Sequence, residues 1–91
     1  MGIYDNDISM KQVSNENHFK TSDLALATVL SLFFSIDSVE RVEGGRVLFW
    51  FQMSGELSNV LEEYWRGTLR LEPQQYFNQL KIIKTRIHSD R

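Results

Sequence analysis

The sequence predicts an α+β domain in which a small antiparallel sheet, built from one strand and a hairpin, packs against three helices. Gly44 and Gly45 precede an aromatic run at residues 47–51, a pattern typical of a β-hairpin. Residues 24–34 and 57–65 carry apolar side chains at helical spacing. Pro73 then opens a third segment with the same spacing. The expected order is β-α-β-β-α-(β)-α, where the bracketed extra strand is an alternative to an extended link.

The chain of 91 residues has room for one domain, which we expect at residues 17–91. Residues 1–16 show neither period and are expected to form a flexible N-terminal arm. That arm carries enough apolar residues to lie on a surface or pair with another copy, so a homodimer is one expectation. The chain has no cysteine, which fits a cytoplasmic protein. The 11-residue apolar run at 24–34 is too short to span a membrane, and we expect no membrane association.

Residues 17–21 alternate in polarity and predict the first strand, with Phe19 facing inward. The next residues signal the start of a helix, with a hydroxyl of Thr21 or Ser22 at the N-cap and Asp23 in the first turn. This helix is expected to run to about Phe34 and to be buried on most of its circumference.

Residues 36–43 and the aromatic run form the two strands of the hairpin. A two-residue turn would place Val39 opposite Trp50 and pair Glu43 with Arg46, whereas a three-residue loop would place Val39 opposite Phe49. The sequence leaves both registers open. Because both sides of the aromatic run are apolar, its strand is expected to be covered by helices on both faces.

The second helix begins after the N-cap Ser54 and ends at Gly67, and Glu62 and Arg66 are placed to form an i,i+4 pair. Its predicted apolar face contains Leu57, Val60, Leu61, Tyr64 and Trp65. Residues 68–72 are expected to form a fourth strand or an extended link. The third helix begins at Pro73, with an apolar stripe of Tyr76, Leu80, Ile83 and Ile87.

The sequence contains no cluster of the residues that catalysis or metal binding requires. His18 and His88 stand apart from each other and from any motif, so each is expected to be a surface or edge histidine. Gly44 and Gly45 lack the phosphate-loop pattern and are expected to form a turn. We therefore expect a protein that is not an enzyme and needs no cofactor or metal.

A basic strip of Lys81, Lys84, His88 and Arg91 lies at i, i+3, i+7 and i+10 of the third helix. Such a strip is suited to a phosphate backbone or an acidic partner. The alternative is that these cations suit the negative end of the helix dipole.

Trp50 and Trp65 are candidate contacts for a protein partner, because tryptophan dominates the energetics of many interfaces. Both stand at positions that the pattern assigns to apolar faces, and the core is therefore the expected location of each. An indole that stays exposed would mark a partner surface.

Three segments resemble a family of short microbial and viral proteins known as a domain of unknown function. They are residues 18–27 (HFKTSDLALA), residues 44–51 (GGRVLFWF) and residues 64–73 (YWRGTLRLEP). The resemblance covers about residues 17–90 and implies a small stand-alone domain, often of viral or mobile-element context, with no assigned activity or site residues.

The order of helix, hairpin and second helix is also similar to half of a LAGLIDADG homing-endonuclease unit. That family needs a carboxylate at the end of its first helix to hold the catalytic metal, whereas this helix ends Leu-Phe-Phe-Ser and Asp37 follows within the predicted strand. The resemblance therefore implies a related architecture without the nuclease chemistry.

The net charge of −2 is distributed unevenly along the chain. Residues 1–45 carry 7 acids and 3 bases, and residues 46–91 carry 5 acids and 7 bases. We expect a small non-catalytic binding or accessory module that acts through a protein or nucleoprotein partner, with protein favoured by the negative charge. The alternatives are a sequence-tolerant nucleic-acid-binding protein that uses the basic strip and, less in keeping with the motifs, a small hydrolase or nuclease.

Overall fold

The computed structural model describes residues 17–89, which form a three-stranded antiparallel sheet and three α-helices. The strands are β1 (His18–Thr21), β2 (Ser38–Arg41) and β3 (Val47–Gln52), in the spatial order β1-β3-β2. The helices are α1 (Leu24–Phe33), α2 (Gly55–Arg66) and α3 (Pro73–Ser89). This confirms the predicted α+β class and element order. The predicted arm at residues 1–16 lies outside the described residues.

The core lies on one face of the sheet and is organised by the central strand β3. Val47, Phe49 and Phe51 alternate along β3 onto this inner face, with exposed fractions of 9%, 1% and 0%. Phe19 of β1 joins them, as predicted from the alternation of its strand. Every helix contributes to the same cluster, through Leu26, Ala27 and Leu30 of α1, Leu57 of α2 and Ile83 of α3.

The expectation that helices cover both faces of β3 is wrong. Leu48 and Trp50 point away from the core and are half-buried. All three helices pack against the inner face, so the outer face is covered by side chains from its own strands rather than by a second layer. The uninterrupted run of apolar residues at 47–51 is typical of a strand buried on both sides, which is why the pattern misled.

The N-cap of α1 lies one or two residues later than predicted. Asp23 is the N-cap, and its carboxylate accepts a hydrogen bond from the Leu26 N–H at 3.2 Å. The Thr21 hydroxyl instead accepts from the N–H of Asp23 at 3.0 Å. The buried residues of α1 run from Leu26 to Leu30 without a break, which agrees with the predicted burial on most of its circumference.

The hairpin between β2 and β3 has a three-residue loop. Val39 lies opposite Phe49, and the Val42 N–H donates to the Arg46 carbonyl at 3.0 Å across the base of the loop. The 3₁₀ turn Glu43–Gly45 forms the loop, and both of its glycines have positive φ, 82° and 79°, as predicted. The two-residue register is therefore wrong, and so is the pairing of Glu43 with Arg46 across it.

The caps of α2 confirm the sequence analysis. The Ser54 hydroxyl accepts from the Leu57 N–H at 3.0 Å, and Gly67 ends the helix in the left-handed region with φ 78°. Glu62 and Arg66 form the expected ion pair at 2.8 Å. Residues 68–72 form an extended link and no strand.

The helix α3 begins at Pro73 as predicted, and the carboxylate of Glu72 accepts from the Gln75 N–H at 2.8 Å just before it. Ile83 is the buried centre of the predicted stripe, with 1% of its surface exposed. At the other end of α3, the guanidinium of Arg41 donates to the Ile87 carbonyl. This contact joins the hairpin to the last turn of α3. It could not be predicted from the sequence, because the two residues are 46 positions apart.

The two glycines that bound α2 give a matched prediction of opposite sign. Gly67→Ala should lower the free energy of unfolding by about 1 kcal/mol, because φ 78° strains any residue with a Cβ although the space is open. Gly55→Ala should raise it by roughly 0.5 kcal/mol, because Gly55 lies in the first turn of the helix with nothing near the added methyl. Urea denaturation checks both, and a change of the same sign in the two variants would contradict the assigned helix end.

Candidate functional site

The outer face of the sheet is organised around Trp50. The indole N–H donates to the Glu40 carboxylate at 3.0 Å, and the ammonium of Lys20 lies 4.3 Å from the centroid of the ring. The His18 ring meets the indole edge-on at 5.2 Å and shares a 2.8 Å contact with the Asp37 carboxylate. The expectation that Trp50 lies in the core is therefore wrong: it is half-buried on the outer face, with its polar atom bonded and one face of the ring covered.

Trp65 has a different environment, because its side chain is 62% exposed. The expectation that it lies in the core is wrong. Leu57 and Tyr64 are seven residues apart and share the inner side of α2, whereas Trp65 is one residue, about 100°, further round the helix. The Tyr64 ring lies edge-on to the indole at 5.0 Å and holds it in place on the surface.

Tyr64 is a half-buried residue on the inner side of α2. Partial burial raises the pKa of its hydroxyl above the ordinary value of 10.0, and the negative charges of Asp23 and of ionised Tyr76 raise it further. Val60, Leu61 and Tyr64 all pack against the core cluster. The exposed indole of Trp65 is thus carried by a helix that the fully buried Leu57 and these partly buried residues join to the core.

The basic strip of α3 is exposed at each of its described members, Lys81, Lys84 and His88. The fourth predicted member, Arg91, lies outside the described residues. The strip runs beside the buried stripe centred on Ile83, as the helical spacing predicted. Phe77 extends the same strip and was not predicted; it is 58% exposed and lies four residues before Lys81.

A groove of about 420 Å³ lies where the end of α1 and the link at 68–72 meet α3. We call it the amide groove, because Gln75, Asn78 and Gln79 line it together with Leu32, Phe33, Arg70, Leu71 and Glu72. The Gln79 amide donates to the Ser31 hydroxyl at 3.0 Å, which ties α3 to α1 beside the groove. Phe33 at the groove is 48% exposed, and Ile82 of α3 is 57% exposed. The groove was not predicted from the sequence, because its walls come from segments about 40 residues apart.

Within residues 17–89, the structure brings together no group of three or more histidine, aspartate or glutamate side chains that could hold a metal ion. Of these side chains, His18 and Asp37 lie 2.8 Å apart on the outer face of the sheet, and His88 lies on the basic strip. Among the same residues, no helix combines the length and the apolar character that crossing a membrane requires.

Comparison with known proteins agrees with the resemblance found in the sequence. No curated protein and no solved structure gives a significant match to the chain. The family described as a domain of unknown function (DUF5659) matches residues 16–89, which include all of the described sheet and helices. The chain therefore belongs to this uncharacterised family, DUF5659.

Proposed function

We propose that the protein is a small non-catalytic binding module that acts through a protein or nucleoprotein partner. The observation that carries the proposal is the exposed indole of Trp65, held edge-on by Tyr64 on a helix anchored in the core. A rigid aromatic side chain binds at low cost in conformational entropy, and tryptophan is enriched among the residues that dominate interface energetics.

The remaining exposed apolar side chains support the same proposal. Phe33, Phe77 and Ile82 are 48%, 58% and 57% exposed, whereas other phenylalanines of the chain are buried in the core. Scattered exposed apolar residues are common on soluble proteins, so these side chains add contact positions to the proposal without carrying it.

The proposal places the module in the cytoplasm, since a chain without cysteine suits a reducing compartment. An origin in a virus or mobile element is part of the proposal and is supported by the resemblance to short microbial and viral proteins. A second copy of the chain is one form that the protein partner can take.

Site-specific photo-crosslinking in cells that carry the native gene tests the proposal. A photoreactive residue at Ser58 lies on the side of α2 that carries Trp65, while one at Glu56 lies on the opposite side, and both positions are exposed. We expect a discrete adduct from position 58 that is lost with Trp65→Ala, and none from position 56. A dimer-sized adduct would identify a second copy as the partner. Equal labelling from both positions, or an adduct that survives Trp65→Ala, would contradict the proposal.

A further inference from the structure

We propose that Phe77, Lys81, Lys84 and His88 form a binding strip for single-stranded nucleic acid, with the phosphates on the cations and a base on the phenyl ring. The inference goes beyond the proposed function, because it concerns a surface other than that of Trp65 and names single-stranded nucleic acid as the ligand. The four side chains follow one another at intervals of four, three and four residues, so neighbours along α3 lie on the same strip. All four are exposed.

The charge of α3 has one sign. Residues 73–89 contain Lys81, Lys84 and Arg86 and no aspartate or glutamate, although the chain as a whole is acidic. The acid that precedes the helix, Glu72, is engaged at its first turn. At the far end, Arg41 brings a further positive charge from the hairpin to the Ile87 carbonyl. A polyanion is complementary to this surface and to no other helix of the described chain, since α2 carries Glu56, Glu62 and Glu63.

The helix dipole does not account for Lys81 and Lys84. Attraction of cations to a helix C-terminus is confined to about the last turn, and the basic residues of that turn are Arg86 and His88. Lys81 lies eight residues before Ser89, about 12 Å along the axis. The alternative that the sequence left open therefore explains only the end of the strip.

Phe77 favours a single strand over a duplex. Its side chain is 58% exposed, and the Tyr76 ring lies edge-on to it with 5.6 Å between the ring centroids. An exposed aromatic surface therefore lies at the end of the row of basic residues. An unpaired base offers a face on which such a ring stacks, whereas the bases of a duplex are already stacked on each other. From Phe77 to His88 the strip is about 17 Å long, which is the axial length of roughly five nucleotides in one strand of a helix.

Fluorescence anisotropy of the full chain with labelled oligothymidylate and with a duplex of equal length tests the inference. We expect the single strand to bind more tightly, with an affinity that falls as salt rises. Lys81→Gln with Lys84→Gln should weaken binding and reduce the slope of log affinity against log salt by about 1.4. Phe77→Ala should weaken binding roughly 5- to 150-fold and leave that slope unchanged.

Matched controls remove the same groups elsewhere. Arg66→Gln with Arg70→Gln deletes two charges from the end of α2 and the link, and Phe33→Ala deletes one exposed ring at the amide groove. Both should leave binding within twofold of the parent chain, and circular dichroism of every variant should match the parent's. Equal losses in the control variants would show general electrostatic attraction and overturn the inference.

Two further outcomes would also overturn it. Absence of salt-dependent binding at low ionic strength excludes a nucleic-acid strip. If polyglutamate competes with the oligonucleotide and its affinity is unchanged by Phe77→Ala, the strip is assigned to an acidic protein instead. In either case, a crosslinked adduct from position 58 that depends on Trp65 would still support the proposed function. Conversely, absence of that adduct together with intact oligonucleotide binding would contradict the proposed protein partner and leave the nucleic-acid strip supported.

Discussion

Replacing Phe51 by alanine is expected to lower the free energy of unfolding by about 3–5 kcal/mol. The side chain is completely buried, stands on the central strand and lies opposite Phe19 of β1. Truncation would leave a cavity between the sheet and the helices, because the strands on either side of β3 fix its position. Natural domains have about 5–15 kcal/mol of stability in total, so the variant should be largely unfolded at moderate urea concentrations.

The neighbouring residue supplies the control. Gln52 follows Phe51 on β3 but points to the opposite side and is exposed, so Gln52→Ala should change stability by less than about 0.5 kcal/mol. Urea denaturation followed by circular dichroism measures both. Similar losses in the two variants would mean that the inner and outer faces of β3 are wrongly assigned.

The second large effect is expected at Ile83. Its side chain is 1% exposed and is the member of α3 that enters the core cluster, so Ile83→Ala should cost about 2–5 kcal/mol. Removing it loosens the attachment of α3 to the inner face, where the helix also contacts α1.

Ile82 gives a control that is identical in chemistry and adjacent in sequence. It is 57% exposed, so Ile82→Ala should leave the free energy of unfolding within about 0.5 kcal/mol of the parent value. The contrast between two neighbouring isoleucines tests the rotation of α3 about its axis. A larger loss of stability from Ile82→Ala than from Ile83→Ala would mean that the rotation of α3, and with it the exposure of the basic strip, is wrongly assigned.

Local signals predicted much of this fold. Ser54, Gly67 and Pro73 each act through atoms a few residues away, so their roles as cap, terminator and first helical residue follow from short-range chemistry. The stripe of α3 centred on Ile83 was predicted for the same reason, because helical periodicity assigns one side of a helix to the core.

The errors arose where several arrangements satisfy the local pattern. Both hairpin registers use the positive φ of Gly44 and Gly45, and pairing over the whole strand decides between them. Trp65 stands at the border of the apolar face of α2, and whether a border residue is covered depends on what packs nearby. The outer face of β3 was expected to receive helices, but the buried apolar residues of all three helices pack against the inner face.

The candidate surfaces divide in the same way. The described members of the basic strip lie on one helix, so spacing alone placed Lys81, Lys84 and His88 together. Phe77 obeys that spacing and was identifiable from it. The amide groove and the contact of Arg41 with Ile87 join segments distant in sequence, and no local period encodes them.

The order of strands in the sheet has a consequence for biosynthesis. The two outer strands are made first, and the strand that joins them, β3, leaves the ribosome only afterwards. A nascent chain that ends before Val47 therefore contains the two outer strands but not the central strand with which both pair. Leu57 and Ile83, which complete the core, are synthesised later still. The domain should thus acquire its structure in one late step, once nearly the whole of α3 has been translated.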